Sequence, residues 1–148
     1  MTIQKLKNKT QGFTIIEVLI VLAIAGLIML IVFLAVPALQ RNSRNNARNN
    51  DASRVASAAQ ECLSNRNGIV AQCTAAVIKD LTGTTSQLEN VSTGSKTFSL
   101  SNARVVFGGE CTAAGNDVTT GGSISSRSIA VSYALESGGS NINRCVGS

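Results

Sequence analysis

Two groups of residues in this chain have the types and spacing to do chemistry. Glu17 stands inside the apolar run Phe13-Thr14-Ile15-Ile16-Glu17-Val18-Leu19-Ile20, where a lone carboxylate in hydrocarbon costs on the order of 2 to 3 kcal/mol even on lenient insertion scales. Its chemistry is that of an acid in need of a cation. Cys62, Cys73, Cys111 and Cys145 form an even set, all on the C-terminal side of that run. Their spacings do not make two CxxC units and the chain has no His, which argues against zinc and for two disulfides in an oxidising compartment. Of the three connectivities open to four cysteines, Cys62–Cys73 with Cys111–Cys145 is favoured. The first closes a short turn holding Asn65, Arg66, Asn67 and Gly68, and the second ties the chain end back to the domain. Catalysis has little to work with: there is no His for general base work, no Gly-rich phosphate loop, no close carboxylate pair, and none of the many Ser residues has an identifiable activating partner. The expectation is a non-enzyme with no cofactor and no metal.

These residues need a scaffold, and composition limits what it can be. The 44% hydrophobic content of the 148 residues is concentrated in Phe13–Leu39, leaving a remainder rich in Ser, Thr, Asn and Gly. From Val55 onward the only aromatics are Phe98, Phe107 and Tyr133, so the distal core is marginal by burial alone and benefits from covalent staples. The net charge of +5 is equally uneven. Lys5, Lys7 and Lys9 precede the apolar run; Arg41, Arg44, Arg48 and Arg54 follow it against Asp51; beyond Arg54 acids and bases balance. A dedicated nucleic-acid surface is not indicated, and the shortage of aromatics leaves no stacking platform.

Phe13–Leu39 would be about 40 Å long as a helix, against about 30 Å of hydrocarbon. A cleaved secretory signal has a shorter core followed by a small-residue site. The one such site here, Ala23-Ile24-Ala25, lies mid-run. A membrane span is the expectation. Positive charge on its two sides is nearly tied, and the cysteines break the tie by placing the C-terminal part outside.

The run Gly12-Phe13-Thr14-Ile15-Ile16-Glu17-Val18-Leu19, after a short Lys-bearing leader and before an apolar helix, resembles the class III signal of type IV pilins and pseudopilins. Leader, span, amphipathic continuation and cysteine-closed C-terminal part extend the likeness over the whole chain in outline. The resemblance implies cleavage after Gly12 by a prepilin peptidase and N-methylation of Phe13. That cut removes Lys5, Lys7 and Lys9, taking the formal charge from +5 to +2. It also creates the missing cation. The new amine on Phe13 lies about 6 Å along the helix axis from Glu17, and closer between staggered neighbours, so Glu17 acts as an assembly key that sets register in a growing filament. The competing reading has Glu17 at the membrane interface, snorkelling to water without a partner. The resemblance further implies a homopolymer, alone or with other pilins, built by a membrane assembly platform with a cytoplasmic ATPase, and a move from the cytoplasmic membrane to an extracellular filament. That fibre would serve adhesion, motility or DNA uptake, with DNA contact unsupported by the composition. A type II secretion pseudopilin, or a singly anchored surface binding protein that never polymerises, is the alternative.

The expected fold class is α+β: a long N-terminal helix, half membrane stem and half amphipathic, packed against a small antiparallel sheet closed by disulfides. The domains are a leader at 1–12, a transmembrane and polymerisation helix at 13–39 and a globular head at 40–148. Ala52, Val55, Ala56, Ala59, Cys62 and Leu63 form a helical stripe, so the helix continues to about Leu63. Pro37 removes a donor within it and should bend or loosen it, and Gly26 is the second weak point. Arg41, Arg44 and Arg48 share one face, read as solvated and near lipid headgroups, or as pairing with acids on adjacent subunits. Thr74–Leu81 reads as a short helix stopped by Gly83; Thr97–Leu100, Ala103–Phe107, Ser128–Leu135 and Asn141–Val146 read as strands. Thr112–Arg127 reads as an exposed loop. Asn90-Val91-Ser92 formally fits a glycosylation sequon. Glu110 and Asp117 are spaced too loosely for a calcium site of the kind some pseudopilins hold.

Overall fold

A computed structural model describes residues 12–94, 99–121 and 125–147. The leader up to Gln11, with its three lysines, lies outside the described residues. Contacts divide the chain into a unit ending at Leu39 and a second from Gln40 to the C-terminus.

The first unit is the opening half of α1 (Ile15–Asn65). Apart from Glu17 its side chains are apolar on every face, and all are exposed, a surface stable only against lipid or other protein. Length and composition suffice to cross a membrane. The helix is assigned without a break through both Gly26 and Pro37. A Cβ added at Gly26 would meet nothing within 4 Å, so no packing within this chain requires a glycine there.

The second unit begins with the rest of α1, which buries Ala52, Val55, Ala58, Ala59, Cys62 and Leu63. The helix ends in a Schellman motif: Asn67 takes φ 52°, Gly68 N–H donates to the Leu63 carbonyl at 2.7 Å and Asn67 N–H to that of Ser64 at 3.4 Å, which satisfies carbonyls left open by the last turn. A 3-10 turn (Val70–Gln72) leads to α2 (Ala75–Thr82), whose end is set by Gly83 at φ 69°. The strands are β1 (Asn90–Thr93), β2 (Asn102–Phe107), β3 (Gly109–Cys111), β4 (Val118–Thr120), β5 (Ile129–Ser137) and β6 (Ser140–Gly147). The main sheet has the order β1-β2-β5-β6, and β3 pairs with β4 separately.

The α+β fold is as the sequence implies, but the sheet is mixed. β1 runs parallel to β2, from Asn90 opposite Asn102 to Thr93 opposite Val105, while β2–β5 and β5–β6 are antiparallel. Parallel pairing needs a crossover rather than a hairpin. Of the expected strand Thr97–Leu100, Thr97 and Phe98 fall outside the described residues; Leu100 belongs to a turn closed by Asn102 N–H on the Ser99 carbonyl. The expected loop Thr112–Arg127 holds β4, which pairs Val118 with Cys111 and Thr120 with Gly109.

β5 is buried on both faces from Ile129 to Ala134. Ile129, Val131 and Tyr133 join Val55, Cys62, Ile78, Leu88 and Val105 in the core, and burying each large aliphatic there contributes roughly 1.5 to 3 kcal/mol. On the other face lie Ala130, Ser132 and Ala134, and the β3–β4 hairpin packs against the same strand. A Cβ at Gly109 would come within 2.8 Å of Val118 Cγ1 and 2.9 Å of Val106 Cγ1, so the hairpin sits this close only because Gly109 has no side chain. Two disulfides close the head: Cys62–Cys73, with Cα atoms 5.8 Å apart, crosses the end of α1, and Cys111–Cys145, at 5.6 Å, joins β3 to β6. Each is worth roughly 2 to 4 kcal/mol.

Candidate functional site

Gly12, Phe13 and Thr14 precede the helix, lie outside regular secondary structure and are exposed. Helix α1 starts at Ile15 because Thr14 caps it. The Thr14 N–H donates to Glu17 Oε2 at 2.8 Å, the Thr14 hydroxyl donates to the same oxygen at 2.9 Å, and the Glu17 N–H donates to Thr14 Oγ1 at 3.3 Å. This is a reciprocal capping box with the acid at the third helical position, and the carboxylate also favours the positive end of the helix dipole. Glu17 is therefore neither bare nor free to snorkel unpartnered. The signal was in the sequence as Thr14-Ile15-Ile16-Glu17, and sequence reasoning that looked only for a distant cation passed over it.

A second polar cluster lies on α1 in the head. Glu136, near the end of β5, accepts from Arg44 Nε at 2.9 Å and Nη2 at 2.6 Å, and from Arg48 Nη2 at 2.8 Å. Arg48 also donates to the Leu100 carbonyl at 3.0 Å and to Asn45 Oδ1 at 3.1 Å. Asn45 in turn accepts from the Glu136 N–H and donates to its carbonyl. Arg44 above all, then Arg48, holds the Glu136 carboxyl at about 2, well under its ordinary 4.5, against a desolvation that works the other way. The expectation of a solvated face holds for Arg44, which is exposed, and is corrected for Arg48, which is 4% exposed; both pair with Glu136 of the same chain. No pattern local to α1 points to an acid 92 residues away.

Asp51 is the third group that sequence reasoning left without a role. It is 3% exposed, and its Oδ2 accepts from the backbone N–H groups of Ser86, Gln87 and Leu88 at 3.0, 2.7 and 3.1 Å. One carboxylate thus pins the loop between α2 and β1 to the helix. Nearby, the Tyr133 hydroxyl donates to Asn49 Oδ1 at 2.7 Å, and burial pushes this phenol's pKa up. Glu110 and Asp117 lie on the β3–β4 hairpin, where Asp117 accepts from the N–H of Val118; among the described residues no three His, Cys, Asp or Glu side chains come together as a metal site.

Residues 7–33 match the family model for the prokaryotic N-terminal methylation motif. No curated protein and no solved structure matches the chain. The matched span contains Gly12, Phe13, Glu17 and most of the exposed apolar half of α1, which supports membrane anchoring and processing by a prepilin peptidase. The chain thus carries the class III signal of type IV pilins and pseudopilins.

Proposed function

We propose that this protein is a structural subunit of a type IV pilus-like filament. It is held in the cytoplasmic membrane by Phe13–Leu39, cleaved after Gly12, methylated on Phe13 and polymerised through the apolar half of α1. It leaves the membrane as part of an extracellular fibre, raised by an assembly platform with a cytoplasmic ATPase and serving adhesion, motility or DNA uptake. Its work is structural and not catalytic. The observation that carries this reading is Glu17, an acid on an otherwise wholly apolar and exposed helical surface, four residues from the amine that cleavage would create. In a low-dielectric bundle a carboxylate favours the register that brings a neighbour's Phe13 amine to it. The capping box keeps the acid satisfied until that neighbour arrives. Gly26 and Pro37 are the places where the helix would yield as subunits pack. A DNA-binding role for the arginine face is disfavoured by the commitment of Arg44 and Arg48 to Glu136.

Glu17 variants separate the roles. Glu17→Ala removes cap and charge together, while Glu17→Gln keeps a side chain able to close the capping box but not the charge. Both are expected to insert in the membrane and both to vanish from the sheared surface fraction, whose wild-type subunit should begin with methylated Phe13 by mass spectrometry. Filaments made by Glu17→Gln would reduce Glu17 to a helix cap. Indifference to both variants, with Met1 retained, would indicate a singly anchored binding protein.

A further inference from the structure

Three arginines lie within three turns of the apolar span's last residue, and only two have partners among the described residues. Arg44 and Arg48 occupy both oxygens of Glu136. The guanidinium of Arg41 has no acceptor among the described residues; instead its Nη1 lies 3.7 Å from the point where Gly138 would carry a Cβ, over the turn that joins β5 to β6. That turn is a two-residue loop, Gly138-Gly139, between the paired Ser137 and Ser140. Gly139 needs its glycine, at φ 133°, and Gly138 does not require one for its backbone. Arg41, Leu100, Glu136 and Ser137–Asn141 line a groove of about 410 Å³, and both oxygens of its one carboxylate, Glu136, are already taken by Arg44 and Arg48. The hydroxyls of Ser137 and Ser140 and the amide of Asn141 make no hydrogen bond among the described residues, so the groove combines one free guanidinium with unengaged neutral donors. Arg44 and Arg48 offset the Glu136 carboxylate, which leaves the Arg41 guanidinium as the uncompensated charge beside the groove. Arg41 is also only two residues past Leu39 in the sequence, next to the end of the run that is long and apolar enough to cross a membrane.

We propose that this groove binds the phosphate of an anionic phospholipid headgroup in the leaflet where the span ends. A phosphodiester supplies the acceptors that Arg41 lacks, and the serine hydroxyls and the Asn141 amide complete its hydrogen bonds. Binding docks the base of the head on the membrane and keeps the subunit anchored until it is extracted.

The test uses the full chain in nanodiscs of phosphatidylethanolamine, with or without phosphatidylglycerol, and reads hydrogen exchange at the Gly138–Asn141 amides with β2 amides as the folding reference. Phosphatidylglycerol should slow exchange about five-fold, the factor that corresponds to the ~1 kcal/mol one basic residue gains at an anionic surface. Arg41→Gln should abolish the slowing. So should Gly138→Asp, which sets a competing carboxylate beside Arg41, whereas Gly138→Asn should preserve it. Slowing that persists in Arg41→Gln, or that is equal without phosphatidylglycerol, overturns the proposal. An equal effect from soluble glycerol phosphate added to phosphatidylethanolamine discs overturns the lipid assignment in favour of a free phosphate. Slowing found only in assembled fibres, lipid absent, overturns it in favour of a subunit contact.

Discussion

The two halves of α1 are chemically opposite and teach different things about burial. Before Leu39 the helix is apolar around its whole circumference and no residue is buried; beyond Gln40 it is largely polar, yet Ala52, Val55 and Ala59 are completely buried. Average hydrophobicity therefore predicts burial within this chain the wrong way round. What decides it is whether a partner surface is available. The polar half has one, because residues of the sheet and α2 share a core with it. The apolar half must find its partner in lipid or in other protein. Polar residues divide in the same sense: Glu17 is satisfied by a neighbour three positions away, while Arg48 and Asp51 are satisfied by segments that arrive from far along the chain.

This contrast can be broken most severely at Asp51. Asp51→Ala strands three backbone N–H groups, that of the buried Leu88 and those of Ser86 and Gln87 in part-buried bonds, and the head should lose about 3 kcal/mol in denaturant titrations of the chain in detergent micelles. A loss below about 1 kcal/mol would mean that the loop is satisfied by other means. A matched pair in the one helix gives the next effect. Leu63→Ala should cost the head roughly 2 to 3 kcal/mol, while Leu27→Ala should leave head stability unchanged within about 0.5 kcal/mol and lower only the yield of sheared filament. Equal destabilisation by both would show that the stem is part of the head's folding unit.

The smallest effect is a pH dependence from Glu136. Its carboxyl titrates at about 2 in the fold and at an ordinary 4.5 when released. A depressed acid contributes stability in full above the unfolded value and loses it as pH falls toward the folded one. The head should weaken progressively between pH 4.5 and about 2, and Glu136→Gln should be less stable at pH 7 yet lack that increment of acid loss. An unchanged acid profile in the variant would remove the Arg44–Glu136–Arg48 cluster from the account.

Much of this molecule is legible in the sequence because the relevant physics is local. The apolar run has its length and composition written along the chain, the Gly12–Phe13 junction and Glu17 lie within a few residues of each other, and the stripe from Ala52 to Leu63 needs only helical periodicity. Thr74 and Gly83 likewise announce the ends of α2. The capping box was equally local and visible as Thr14-x-x-Glu17. Other features depend on which segments meet. β1, Asn-Val-Ser-Thr, is too short and polar to alternate, and becomes a strand only because β2 offers it a parallel edge. β5 is covered twice because a hairpin built around Gly109 reaches its second face. Arg48 and Asp51, charges that composition would assign to solvent, are buried because Glu136 and the amides of residues 86–88 come to them. The sequence alone thus determined the stem, its processing signal and the amphipathic helix, since hydrophobic periodicity and near-neighbour chemistry act over a few turns. Only the tertiary structure decided which charges are internal and how the strands are ordered, because desolvation and hydrogen bonding depend on contacts between residues far apart in the chain.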